Sequence, residues 1–198
     1  MTKSFLHVGC GGKTKAGLKG FNTPDWREIR FDIDENVQPD IIGTMTDMAA
    51  VGSDSVDAVY SSHNLEHVFP HEVPVVLAEF RRVLKPDGFV VLTCPDLQSV
   101  CKVIGEGKLV EPLYVSPAGP ISPIDVLYGF RKSMAAGNLY MAHKGGFTIK
   151  TLVDSFTSAG FRVCIGGVQA KAYALWVVAF KDHIDEDEAR VKAQAYLP

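Results

Sequence analysis

Seven short apolar runs constrain this 198-residue chain more than any other feature: SFLHV, EIRFDI, PDIIG, SVDAVYSS, GFVVLTC, FRVCIGG and YALWVVAF. Each has strand length and is bounded by Gly, Pro, Asp or Ser, and several are apolar throughout instead of alternating. A strand apolar on both sides needs cover on both faces, as in a parallel sheet flanked by helices. Two helices stand between the runs. In HEVPVVLAEFRRVLKPDG, Val73, Val76, Leu77, Phe80, Val83 and Leu84 fall on one stripe, Pro74 fits only the first turn, and Pro86-Asp87-Gly88 ends the helix. In TIKTLVDSFTSAGF, the stripe is Leu152, Val153, Phe156 and Ala159, with Thr148 as N-cap and Gly160 as stop. Only a few residues around Ala170-Lys171-Ala172 separate the last two runs. That is too short for a parallel crossover, so the pair is expected as an antiparallel hairpin. The expectation is an α/β domain over residues 1–198, mostly parallel, with a reversed strand at the C-terminal end.

Two stretches break this regularity. Residues 95–147 hold Pro112, Pro117, Pro120 and Pro123 with several aromatics but no clean strand, a composition suited to a lid or substrate wall. From Asp182 onward the tail DHIDEDEARVKAQAYLP is charged and reads as a solvated helix or a frayed end. The formal net charge of -3 gives no basic footprint for nucleic acid. No run approaches the length of a membrane span, and no signal-peptide pattern opens the chain. Cys10, Cys94, Cys101 and Cys164 lack the spacing of a metal site or a disulfide framework. A cytoplasmic protein with reduced thiols and a small-molecule substrate is expected.

The chemistry is expected where FLHV runs into Gly9-Cys10-Gly11-Gly12. Glycines at a strand end let backbone approach a ligand closely. A dinucleotide would need a third small residue and a helix to receive its pyrophosphate; Thr14 occupies that position, and KTKAGLKGFNTP carries no amphipathic pattern. No G-x-x-x-x-G-K-[ST] phosphate loop is present. About twenty residues on, FDIDEN closes the second strand with Asp32 and Asp34, and a carboxylate there can accept both hydroxyls of a ribose. Asp32 is nearer the strand end and is preferred. An adenosine-bearing ligand without pyrophosphate satisfies turn and acid together, and S-adenosylmethionine is such a ligand.

The segments LHVGCGGKT, RFDID, GTMTDMAAV, VDAVYSSHNLEHV, EFRRVLKPDGFVVLTCPD and HKGGFTIKTLVDSFTSAGF occur in that order. Together they resemble the class I S-adenosylmethionine-dependent methyltransferases, above all the small bacterial type 11 group, over about residues 5–181. The resemblance implies a Rossmann-like sheet of seven strands with the last antiparallel and helices on both faces. It implies that Gly9, Cys10 and Gly11 pass beside the methionine part of the cofactor, that Asp32, with Ile33 next to it, holds the ribose, and that Asp47 and Met48 contact adenine. Ser62, His63 and Asn64 would pass under the sulfonium. The chain departs from the common pattern at His7, where many members have an acid, and at Lys13, where they have a small residue.

In-line methyl transfer draws much of its rate from positioning, and a base is needed only for an acceptor that must lose a proton. His63 and His143 are the candidate bases, and Tyr114, Tyr128, Phe130, Tyr140 and Met141 the candidate substrate wall. His63, Glu66, His67 and His71 invite a metal reading, but Pro70 interrupts the run, and in the family NLEH is a connection behind the cofactor site; no metal is expected. The Asn-Pro-Pro-aromatic sequence of many nucleic-acid amino-methylating enzymes is absent, SSHN standing in its place. Methyl transfer to a small molecule or to a sugar- or lipid-pathway intermediate is the leading expectation. The alternatives are a cofactor-binding module without chemistry, acting through a partner, and a nicotinamide-dependent oxidoreductase.

Overall fold

The computed structural model describes residues 2–198. Its elements are β1 (Lys3–Val8), β2 (Trp26–Asp32), β3 (Ile41–Ile42), β4 (Val56–Ser62), α1 (Val73–Val83), β5 (Leu84–Pro95), α2 (Leu97–Gly105), β6 (Tyr114–Ser116), β7 (Gly119–Ile121), α3 (Pro123–Tyr128), α4 (Arg131–Ala135), α5 (Ile149–Ser158), β8 (Val163–Gln169), β9 (Ala174–Phe180) and α6 (Glu186–Gln194). Seven strands form one sheet in the order β3-β2-β1-β4-β5-β9-β8. β1 pairs in parallel with β2 and β4, as β4 does with β5, whereas β9 runs antiparallel to both β5 and β8. The hairpin expected from the short Ala170–Ala172 connection is present.

The central strands β1, β4, β5 and β9 are buried on both faces, which is why their runs are continuously apolar. Alternate residues serve alternate faces. Leu6 and Val8 of β1, Val59 of β4 and Val90 and Leu92 of β5 pack with Val76, Leu77 and Phe80 of α1 and with Leu152 and Phe156 of α5. Burying each such side chain contributes about 1.5–3 kcal/mol as an upper estimate. Pro74 sits in the first turn of α1, where no backbone donor is lost. Thr148 caps α5, its side chain accepting from the Thr151 N–H, and Gly160, at φ +91°, follows the helix.

The opposite face carries Phe5, Tyr60, Phe89, Val91, Val178 and Phe180. After β1 the chain makes only a 3₁₀ turn at Lys15–Gly17, so no full helix covers this face from that side. Two other segments cover it. Phe21 and Trp26 fold down before and at the start of β2, and the C-terminal α6 lays Ala189 and Ala193 on the sheet, followed by Tyr196. The tail is therefore neither frayed nor merely solvated. Asp185 caps α6 by accepting from the Asp187 and Glu188 N–H groups, and the small alanines let the helix approach closely.

Residues 95–147 also hold more structure than their composition suggests. α2 opens with Asp96 as its cap, β6 and β7 form a separate two-stranded ribbon, and Ser122 and Asp125 make a capping box at α3. Burial opposes ionisation of Asp125, but Arg131 and the Ser122 donors outweigh it and hold its carboxyl well below the usual carboxylate range. No helix among the described residues is long and apolar enough to cross a membrane.

Candidate functional site

The sheet order reverses between β1 and β4, and in open α/β sheets ligands bind outside the carboxyl ends of the strands at such a point. A cavity of about 1010 Å³ lies there, with Gly9, Asp32, Thr46, Ser62 and His63 among the residues of its wall.

β1 ends in a turn that only glycine can make in this setting. Gly9 has φ +63° and Gly11 φ +50°. A Cβ on Gly9 would stand 2.0 Å from Oδ1 of Asn64, whereas one on Gly11 or Gly12 would meet nothing within 4 Å. The turn is thus pressed against Asn64 behind and bare in front. Asn64 is itself fixed, its amide donating to the Val8 carbonyl at 3.0 Å, to Ser61 Oγ at 3.2 Å and to the Ser62 carbonyl at 3.0 Å. Asp32 holds the other side: its Oδ2 accepts from the Gly11 N–H at 2.8 Å and its Oδ1 from the Asp34 N–H at 3.0 Å. Each carboxylate oxygen keeps a lone pair for a further donor. Arg30 grips the Gly11 carbonyl from the rim.

His7 lies beneath this turn, 1% exposed, with Nδ1 donating to Glu28 Oε1 at 2.7 Å. Glu28 uses its second oxygen to accept the Lys15 N–H. A carboxylate is therefore present under the turn, but it comes from β2. Desolvation lowers the His7 pKa and outweighs the pull of Glu28 toward the charged form. Above its ordinary value of 6.5, His7 costs the fold nothing. As pH falls below 6.5, the unfolded chain takes up a proton that the folded chain resists, so stability drops until the lowered native value is passed. Urea midpoints of wild type and His7→Gln, compared between pH 7.5 and 5.5, should show the steeper decline in wild type. Parallel curves would remove His7 as the cause.

Ile33, Ser62, His63 and Asn64 line the cavity with Gly9, Cys10, Gly11 and Asp32. The Cys10 thiol is buried and pushed up to about 11, so at neutral pH this residue offers its backbone and no thiolate. His63 has φ +55° and a half-exposed ring, its backbone N–H tied to the Thr93 carbonyl. Asp47 and Met48 do not reach the cavity. Met48 is fully buried in the core, and the exposed Asp47 turns back to accept the Ala49 N–H. The segment passes the cavity two residues earlier, at Thr44, Met45 and Thr46, because Glu79 and Arg82 of α1 pin the Met48 backbone inward.

His143 does not line the cavity either; it stands behind His67, with ring centroids 4.8 Å apart. Of the aromatic wall, Tyr140 and Met141 reach the cavity, joined by Leu139 and Lys144, while Tyr114, Tyr128 and Phe130 do not. Nothing in the apolar pattern separated these, since the 3₁₀ turn at Leu139–Met141 carries no periodic signal.

Residues 6–92 match a family described as a methyltransferase domain. No curated protein matches the chain in sequence. Among solved structures, an S-adenosylmethionine-dependent methyltransferase from Methanosarcina mazei shares the fold at 15% identity and a TM-score of 0.58, over 92% of this chain and 94% of that one. One from Archaeoglobus fulgidus does so at 13% identity and 0.57, over 90% and 86%. A methyltransferase solved with the Haloferax volcanii activator Trm112 does so at 13% and 0.57, over 91% and 83%. The cofactor that this family and fold imply is S-adenosylmethionine. The site fits such a group: the cavity has room for a nucleoside and a second molecule, the glycine turn is bare toward it, and Asp32 has acceptors to spare.

Proposed function

We propose that this chain is a class I S-adenosylmethionine-dependent methyltransferase of the type 11 group, and that it transfers a methyl group to a small-molecule or sugar- or lipid-pathway acceptor. The observation that carries this reading is the glycine turn clamped between Asn64 and Asp32 at the mouth of the cavity. When bound, the cofactor supplies a methyl on a positively charged sulfur.

The chain's own residues bind and orient it. Asp32 accepts the ribose hydroxyls while still holding the Gly11 N–H, so one carboxylate sets both the turn and the sugar. Ile33 and Met45 give apolar edges to the adenine, with Thr46 as its polar neighbour in place of Asp47. Gly9 to Gly11 lie along the methionine part, and Ser62, His63 and Asn64 form the floor beneath the sulfur. Leu139, Tyr140 and Met141 close the acceptor side as a wall supplied by the region between β5 and α5. His63, exposed at that floor, is the residue placed to take a proton from an acceptor.

Calorimetric titration with S-adenosylhomocysteine, with a reduced nicotinamide cofactor run alongside, tests the reading. Micromolar binding of the first alone supports it. Asp32→Ala is expected to weaken that binding more than about tenfold, the scale of a lost charge-assisted pair. Unchanged affinity in the variant removes Asp32 from the ribose. A module without chemistry would bind the product equally well, yet turn over no acceptor in a screen with radiolabelled methyl donor.

A further inference from the structure

Behind His63 and His67 the structure holds a buried carboxylate with no hydrogen-bond partner. Glu66 is 1% exposed, and neither of its oxygens accepts a hydrogen bond. His63 Nδ1 comes to 3.3 Å from Oε1 but does not meet hydrogen-bond geometry. A carboxylate removed from water without partners is costly, and such groups are normally paired or coordinate a metal.

The neighbours of Glu66 are arranged as ligands would be. His67 Nδ1 lies 3.1 Å from the Ala142 carbonyl and His143 Nδ1 2.7 Å from the Val126 carbonyl. A carbonyl only accepts, so each Nδ1 donates, and each neutral ring keeps its lone pair on Nε2. One ligand-type atom from each of Glu66, His67 and His143 lies within 4.8 Å of the others. The loop that brings His143 is tied down beside them, the Lys144 and Gly145 N–H groups both donating to the Glu66 carbonyl. With both Nδ1 atoms committed to carbonyls, Nε2 is the nitrogen that each ring has free for a cation shared with the buried anion.

We propose that Glu66, His67 and His143 bind one divalent transition-metal ion of the zinc class. Two nitrogens and one oxygen suit zinc, cobalt or nickel better than magnesium or calcium, which prefer oxygen ligands throughout. At ordinary bond lengths of about 2.0–2.2 Å the three ligand atoms close up modestly on the ion. Carbonyl acceptors on both Nδ1 atoms are the outer-shell contacts that fix a ligand histidine's tautomer and ring orientation. His67 also lines the cavity, so an open fourth position faces the place where an acceptor sits. Resting on the methyltransferase reading, that position selects an acceptor bearing an oxygen donor, such as a hydroxyl. His71, which shares the sequence run, has no part in the cluster; His143 takes the place that sequence proximity gave to His71.

The test uses the full chain after treatment with a chelator. Titration with Co²⁺, followed by visible absorption, and with Zn²⁺, followed by calorimetry, should give one equivalent bound with micromolar affinity or tighter. His67→Gln and His143→Gln should each weaken uptake by more than about tenfold, while His183→Gln, at an exposed position outside the cluster, should not. Glu66→Gln should do the same, and if it fails to fold, the two histidine variants carry the test. No saturable uptake, or uptake unchanged in both histidine variants, overturns the site and leaves a proton as the shared cation. S-adenosylhomocysteine binding is measured on the same samples. Cofactor binding without metal uptake defeats this site alone; metal uptake without cofactor binding defeats the methyltransferase reading alone.

Discussion

Gly9→Ala is expected to weaken S-adenosylhomocysteine binding by more than about a hundredfold, equivalent to about 2.7 kcal/mol, with a further cost to the fold of about 1–3 kcal/mol from backbone strain. The methyl would stand 2.0 Å from Oδ1 and 2.3 Å from Cγ of Asn64, at a residue whose φ of +63° already disfavours any side chain. A flexible neighbour would swing aside. Asn64 cannot do so cheaply, because its amide holds three acceptors on β1 and β4. The turn must move instead, carrying Gly11 away from Asp32. Gly12→Ala is the contrast: its Cβ meets nothing within 4 Å, and the fold should tolerate it. Thermal unfolding and calorimetry of both variants read the two effects separately. Affinity within threefold of wild type in Gly9→Ala would show that the turn and Asn64 do not set the site.

Phe21→Ala should lower stability by about 3–5 kcal/mol in urea unfolding, as expected for loss of a large aromatic from a close-packed core. Phe21 is fully buried, stacks on Phe5 at 4.3 Å, and meets Trp26 at 5.0 Å, Tyr60 at 5.8 Å and Tyr196 at 4.9 Å. It joins the segment after β1 to the sheet and to the end of the chain. No long helix follows β1, so Phe21 covers this face together with Trp26 and α6. The remaining aromatics can collapse only partly into the gap. A loss below about 1 kcal/mol would mean that this face does not unfold with the rest of the core.

Most of the scaffold was legible before any coordinates because its signals are local. Continuous apolar runs required cover on both faces, and the stripes of α1 and α5 reappear as buried Val76, Leu77, Phe80, Leu152 and Phe156. The brevity of the Ala170–Ala172 link alone dictated the reversal of β9. The tail's helix was among the readings, but its packing on the sheet was not, because helix amphipathicity is judged by large apolar residues. Ala189 and Ala193 bury a face while leaving the segment polar on average. Asp47 and Met48 stand off the cavity wall, which Thr44, Met45 and Thr46 line instead, because Glu79 and Arg82 of α1 decide where that loop turns inward.

What the sequence determined by itself was the sheet, the helices α1 and α5 on one face and the glycine turn followed by an acid, since each rests on spacing along one stretch of chain. Only the tertiary structure decided that Asp32 braces Gly11, that Glu28 supplies a carboxylate beneath His7, and that His143 joins Glu66 and His67. These depend on pairs far apart in the chain, brought together by strand register and by a loop hung on the Glu66 carbonyl. Spacing along one segment carries no record of what a distant segment sets beside it.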